Sequence, residues 1–175
     1  MLVELSKVIF HEGYTIQQES KLDLTDITVQ GEKFPVLAPD PVKLKIVNSG
    51  DSVLAIQVQG KVSAVIPCSR CLEDVRYDFP FLIERNVDMK LSAEEMEESE
   101  EEYNFIEKGH LNVDQLVKNE LLINWPIRVL CKEDCRGICS RCGANLNLGD
   151  CGCDREELDP RMAAVKDIFS KFKEV

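Results

Sequence analysis

Residues 131–153 read CKEDCRGICSRCGANLNLGDCGC and hold six of the chain's eight cysteines. The other two, Cys68 and Cys71, form a CxxC pair. Eight thiols in this arrangement are bridged, metal-bound or redox-active, and each choice restricts the fold. Disulfides fit poorly. Bridged frameworks belong to small secreted chains that cannot build a core. Here 44% of 175 residues are hydrophobic, enough for a core of ordinary size. The opening MLVELSKVIFHEG has neither the basic nor the long apolar region of a secretory signal. A cytoplasmic chain with reduced thiols is expected.

Metal is the better reading. Zn²⁺ takes four thiolates tetrahedrally at about 2.3 Å. Two cysteines in CxxC reach one ion from a tight turn whose backbone N–H groups point at the sulfurs. In CSRCG, Gly143 permits the positive φ that such a turn needs. Cys139, Cys142, Cys151 and Cys153 therefore make a compact ribbon-like site closed by local sequence. Cys68, Cys71, Cys131 and Cys135 make a second quartet, which would staple the cysteine-rich segment to a strand end. The CSRC of residues 68–71 has no trailing glycine, so sequence defines its turn less well. Alternatives stay open for these four: reduced and packed, or Cys131 or Cys135 sharing the first ion. One or two Zn²⁺ ions are expected, and iron is also chemically compatible with four sulfurs. Arg70, Lys132, Arg136, Arg141 and Arg155 lie beside the cysteines and would offset the −2 of a tetrathiolate centre.

Catalysis is not expected. Catalytic zinc keeps an open position and usually has a His, Asp or Glu ligand. The two histidines, His11 and His110, are far from the cluster in sequence. There is no phosphate-cradling glycine loop, no GxSxG and no HExxH. No small-molecule substrate follows from any motif.

The first ninety residues alternate with period two, as half-buried antiparallel strands do. VKLKIV (42–47) and VLAIQVQG (53–60) flank a turn at Asn48-Ser49-Gly50-Asp51. KVSAVIP (61–67) stays in phase, and VRYDFPFLIERNVDMKL (75–91) resumes the pattern. Pro80 places that strand at an edge or breaks it. LDLTDITV (22–29) also alternates, while FPVLAPDP (34–41) reads as loop. From residue 112 the period becomes helical, with Val113, Leu116, Val117 and Leu121 on one face. Asn112 and Gln115 have capping-box spacing, and Pro126 ends the helix. Asp159 and Pro160 open a second helical pattern, whose stripe includes Val165, Ile168 and Phe169. The class is α+β: an antiparallel sheet or partial barrel with a few helices and a C-terminal zinc-binding lobe. Three segments are expected: a mainly β domain at 1–91, an acidic linker at 92–108, and 109–175 packing back on the β domain.

The formal charge is −11, the reverse of a general polyanion binder. Residues 92–107 carry eight glutamates and no base, so the remainder is only mildly acidic. Such a run is a solvated linker or a tether for a basic partner. No apolar run approaches the ~18 residues of a membrane helix.

CSRCLE (68–73), NELLINWPI (119–127), CRGICSRCGANLN (135–147) with its CGC partner, and DPRMAAVKDI (159–168) together resemble the YceD family. Its members are large ribosomal RNA subunit accumulation proteins of bacteria and chloroplasts. The resemblance is best at 67–73 and 119–168. It implies a ribosome-biogenesis factor that binds large-subunit ribosomal RNA or an assembling ribosomal protein. It also implies that the ribbon-like site is a stabilising module, since some members lose much of the later cluster. Direct RNA contact would use Arg70, Arg128, Arg136 and Arg141, which could equally balance thiolate charge. Two other readings are a redox-responsive zinc-thiolate protein and a zinc-ribbon adaptor of the transcription machinery.

Overall fold

The computed structural model describes residues 1–90 and 103–153. The glutamate run at 94–102 and the helical pattern from Asp159 onward lie outside the described residues. A long hairpin dominates. Strands β6 (Val53–Pro67) and β7 (Asp74–Asp88) pair antiparallel over their full length, from Val53↔Asp88 to Pro67↔Asp74. Alternation selects the buried face: Leu54, Ile56, Val58, Val62, Ala64 and Ile66 of β6 against Phe79, Phe81, Ile83 and Val87 of β7. Gly60 lies in β6 where Val42 and Phe81 crowd it. A Cβ there would lie 2.6 Å from Val42 Cγ1 and 3.2 Å from the Phe81 ring, so only glycine lets the strands close.

Strand β5 (Val42–Asn48) pairs with the other edge of β6, and β2 (Thr15–Ser20) pairs with β5, giving the order β2–β5–β6–β7. β7 is thus an edge strand. It runs unbroken through Pro80, whose missing N–H costs nothing on an unpaired edge. A hairpin of β3 (Asp26–Val29) and β4 (Glu32–Pro35) turns at Gln30 (φ 51°) and Gly31 (φ 88°). The expected loop at 34–41 therefore begins inside a strand, because Phe34 and Pro35 pair with Ile27 and Asp26. Of residues 22–29, only 26–29 form a strand.

A third sheet, ordered β1–β9–β8, joins β1 (Leu2–Glu4) to β9 (His110–Asn112) and β8 (Ile106–Glu107). Helix α1 (Ser6–Ile9) is held against the β5–β6 turn by buried Asn48, whose Nδ2 donates to Val8 O (2.8 Å) and Ile9 O (3.1 Å). Helix α2 (Val113–Ile123) opens on Asn112, whose Oδ1 accepts the Gln115 N–H at 3.2 Å. The expected box is half made. The Gln115 side chain donates to Asn119, and the Asn112 N–H goes to Phe105 O instead. Val113, Leu116, Val117 and Leu121 bury the inner face of α2 in the core shared with β7 and Leu111. Beyond the helix, Trp125 stacks on Phe79 at 5.3 Å and tilts against Phe34 at 5.0 Å. That wedge aims residues 129–135 at the tip of the β6–β7 hairpin. Among the described residues no helix is long and apolar enough to cross a membrane.

Candidate metal centre

The β6–β7 hairpin reverses through residues 68–73, so Cys68 and Cys71 stand at its tip. The Leu72 N–H donates to Cys68 O (2.9 Å) and the Cys68 N–H to Glu73 O (2.8 Å). Residues 139–144 repeat this turn: the Gly143 N–H donates to Cys139 O (2.9 Å) and the Cys139 N–H to Ala144 O (2.9 Å). Gly143 has φ 72° as expected. Leu72 takes the same place at φ 63°, so the first turn forms without the glycine that the second uses. The two CxxC segments are matching knuckles on different scaffolds, one at a sheet tip and one in a loop.

Each knuckle meets a second cysteine pair. Residues 129–135 return past the hairpin tip, tied there by the Ser69 N–H to Val129 O at 2.8 Å. This brings Cys131 and Cys135 to Cys68 and Cys71. In the outer loop, Cys151 and Cys153 meet Cys139 and Cys142. Within each quartet all four sulfurs lie within 4.8 Å of one another. The Cys68–Cys135 and Cys71–Cys131 sulfurs are 3.8 and 3.5 Å apart. Both separations far exceed the ~2.05 Å of a disulfide. They match the ~3.8 Å edge of a tetrahedron with metal–sulfur bonds of about 2.3 Å. All eight cysteines are unbridged. The residues therefore fit a tetrahedral thiolate-bound ion twice. The inner quartet is Cys68, Cys71, Cys131 and Cys135; the outer is Cys139, Cys142, Cys151 and Cys153.

The electrostatics are those of sulfurs collected for a cation. Burial pushes the Cys68 thiol up, but N–H groups of Cys71, Arg70 and Cys131 outweigh it and bring it down to about 6. The N–H groups of Cys142 and Arg141 lower Cys139 to about 6 in the same way. The Glu73 backbone N–H lowers Cys71, yet burial and the other three sulfurs push it up to about 12. Cys142 and Cys151 push Cys153 up to about 12. In each quartet one thiolate is prepared by the backbone while another is resisted by its neighbours. A divalent ion removes that resistance, because its charge reverses the local repulsion.

The two centres differ in exposure. Cys68, Cys71 and Cys135 are buried and Cys131 is half-buried; outside, Cys139 is buried, Cys151 and Cys153 are half-buried and Cys142 is exposed. They are also joined. Arg70 Nη1 donates to Cys135 O at 2.7 Å, and the Ile138 N–H donates to Arg70 O at 3.1 Å. A side chain on Gly137 would meet that carbonyl at 3.1 Å, and Gly137 holds φ 77°. Asn147 Nδ2 donates to Cys135 Sγ at 3.2 Å, and Asn145 Nδ2 to Glu73 Oε1 at 2.9 Å. Sequence reasoning passed over both asparagines. The available signal was an Asn-x-Asn between two ligand pairs, where side-chain amides can donate to thiolates.

Of the four arginines expected at a nucleic-acid surface, Arg70 is exposed and donates its Nη1 to Cys135 O. Arg128, Arg136 and Arg141 are exposed as well, and the Arg136 N–H donates to Asn147 Oδ1 at 2.9 Å. His11 and His110 join neither quartet; their Nδ1 atoms face Lys7 O (3.2 Å) and Lys108 O (3.1 Å).

A family model described as Large ribosomal RNA subunit accumulation protein YceD matches residues 54–169, a span containing all eight cysteines. An uncharacterized protein of Mycobacterium leprae is 26% identical over 135 residues, 76% of this chain and 60% of that protein. The uncharacterized protein YlbN of Bacillus subtilis is 21% identical over 158 residues, 89% of each chain. The large ribosomal RNA subunit accumulation protein YCED homolog 1, chloroplastic, of Arabidopsis thaliana is 34% identical over 53 residues, 30% of this chain and 16% of that protein. The chain thus spans about 60% of the length of the mycobacterial relatives it matches. No solved structure matches it.

Proposed function

The chain belongs to the YceD family of large ribosomal RNA subunit accumulation proteins, and from that membership we propose that it is a non-enzymatic ribosome-biogenesis factor. It would act in the cytoplasm to support synthesis, processing or stability of large-subunit ribosomal RNA. The observation that carries this reading is the extent of the family match, which runs from β6 through both cysteine quartets.

Zinc is the ion we assign to both centres. Four thiolates complete its coordination and leave no open position, which is the pattern of a structural site. When bound, the ion supplies a fixed cross-link. The inner one joins the hairpin tip to residues 131–135, and the outer one closes residues 139–153.

Charge favours a protein as the direct partner. Residues 126–153 carry four basic and three acidic side chains. Two tetrathiolate centres, each of net charge −2, make that lobe negative overall. Phosphate contacts, which dominate nucleic-acid affinity, are disfavoured there. A basic, assembling large-subunit ribosomal protein complements both the lobe and the chain's −11. Crosslinking in cells, with recovery of both RNA and protein, tests the partner. Recovery of a basic large-subunit protein supports this reading, and one discrete stretch of large-subunit RNA would move the contact to exposed Arg128, Arg136 and Arg141. The role itself is tested by deleting the gene. The ratio of large- to small-subunit ribosomal RNA should fall, and an unchanged ratio sinks it.

One observation favours a second reading. The exposed Cys142 makes the outer centre accessible to oxidants. A redox-responsive protein would release one zinc equivalent at low peroxide and keep the buried one.

A further inference from the structure

The outer loop directs two of its side chains to the inner centre. Residues 143–150 connect Cys142 to Cys151, so an outer ion that holds both cysteines holds this segment between them. The segment pairs with the inner centre's own chain: Ile138 bridges Asn145, and the Leu146 N–H donates to Gly137 O at 2.9 Å. Leu146 is buried beneath it. The two asparagines of the segment then reach toward the inner centre. Asn147 gives its Nδ2 to Cys135 Sγ (3.2 Å) and takes the Arg136 N–H on Oδ1 (2.9 Å). Asn145 gives its Nδ2 to Glu73 Oε1 (2.9 Å) and takes the Asn147 N–H on Oδ1 (2.9 Å). Glu73 closes the first knuckle through its carbonyl, which accepts the Cys68 N–H. One short segment therefore reaches both arms of the inner quartet, at Cys135 and beside Cys68.

We infer that the two centres are energetically coupled, with Asn147 as the positioning residue that transmits outer occupancy to the inner thiolate Cys135 and Asn145 as its support. This rests on the metal reading above. An N–H donor to a ligating sulfur draws off negative charge and fixes the ligand's direction, and loss of such a partner typically weakens metal binding by about 10- to 100-fold. The donor here is held by a loop that the outer ion closes. Filling the outer centre orders the loop and so strengthens the inner one. Coupling of binding free energies is reciprocal, so the inner ion strengthens the outer by the same factor. The order of loading follows. An emptied outer centre leaves an inner one that still binds but more weakly, so the two losses of metal are not independent.

The test uses the full chain with reduced thiols, loaded with ¹¹³Cd²⁺ as a zinc surrogate and titrated with a competing chelator. Two resonances give the occupancy of each centre. The double substitution Cys142→Ser/Cys153→Ser removes the outer ion and should lower inner affinity about 10-fold or more. Asn147→Asp keeps the acceptor for the Arg136 N–H and removes the donor to Cys135. It should still bind two equivalents, shift the inner resonance and lower inner affinity by about 10- to 100-fold. It should also weaken the outer ion, none of whose ligands it touches, and this reading stands even if the double variant loses its fold. The coupling is overturned if Asn147→Asp leaves outer affinity unchanged, or if inner affinity is the same with and without the outer ion. Two equivalents bound independently would remove the coupling alone. Fewer than two by the wild-type chain would remove the metal reading with it.

Discussion

Leu72 holds φ 63° at the position where the matching knuckle has Gly143 at φ 72°. A β-carbon in the left-handed region costs about 1 kcal/mol or more, and Leu72 recovers little by packing, since it is 64% exposed. Leu72→Gly should therefore raise stability by about 0.5–1 kcal/mol, the strain relieved less the entropy that glycine adds to the unfolded chain. Gly143→Ala should lower it by about 1 kcal/mol. Urea midpoints at one fixed free-metal concentration check both, and equal shifts of the same sign would refute the equivalence of the knuckles. Asp78 is a second residue-scale case. The Ser63 hydroxyl at 2.6 Å and the Arg76 guanidinium at 3.1 Å hold its carboxyl below the usual carboxylate value, with help from the Lys61 charge. A carboxylate lowered by folding contributes stability that is complete above its ordinary pKa and is lost as pH falls through the lowered one. Asp78→Asn should be less stable than wild type at neutral pH, and the gap should close below about pH 4. Thermal midpoints across pH 2–7 read this directly, and parallel curves for the two proteins would rule it out.

Trp125 is the joint between elements. It is the chain's only tryptophan, placed where α2 ends, and it contacts Phe34 of β4 and Phe79 of β7. Trp125→Ala should cost about 2–3 kcal/mol, below the range for a fully buried aromatic because this ring is half-buried. It should also weaken the inner metal centre, whose Cys131 and Cys135 are delivered by the segment the ring anchors. Urea unfolding and chelator competition on one preparation would measure both. A stability loss with unchanged metal affinity would mean that the cysteines hold residues 129–135 without help from the ring. What the sequence made legible at this scale follows from period and spacing. β5, β6 and β7 alternate over enough residues to announce a half-buried sheet, and CxxC with a trailing glycine announces a knuckle. The β1–β9–β8 sheet was not legible. Its strands are two or three residues long, too short for a period, and β1 meets β9 across more than a hundred residues. The first knuckle was only half legible, because Leu72 accepts a backbone conformation that local propensity disfavours. The link between the centres had only a faint trace in the sequence, an Asn-x-Asn between two ligand pairs, and its partners Cys135 and Glu73 are defined only once the fold brings them beside Asn147 and Asn145.

At the scale of the whole molecule, two kinds of cohesion meet at one place. The sheet β2–β5–β6–β7 is held by apolar burial and cross-strand pairing. Residues 129–153 have few buried apolar side chains, with Val129 and Leu146 the main ones beside the cysteines, so ions bound at the two quartets would supply most of their cohesion. Sequence alone suggests that chelation would loosen only the chain beyond about residue 130. The structure moves that boundary, because Cys68 and Cys71 belong to the same inner centre as Cys131 and Cys135. Removing the ion leaves the hairpin tip, 67–74, without its partner, while the register from Val53↔Asp88 through Val62↔Phe79 stays covered by the core. Amide hydrogen exchange of the metal-loaded and chelator-treated protein should therefore show two regions losing protection together, 67–74 and 129–153. Protection should persist in β5, in the first ten residues of β6, and in α2. If the tip kept its protection after full metal removal, the hairpin turn would be stable by itself and the inner centre would only decorate it. If β5 and α2 also opened, the ion would be holding the fold as a whole, and the division between an autonomous sheet and a metal-dependent lobe would not exist.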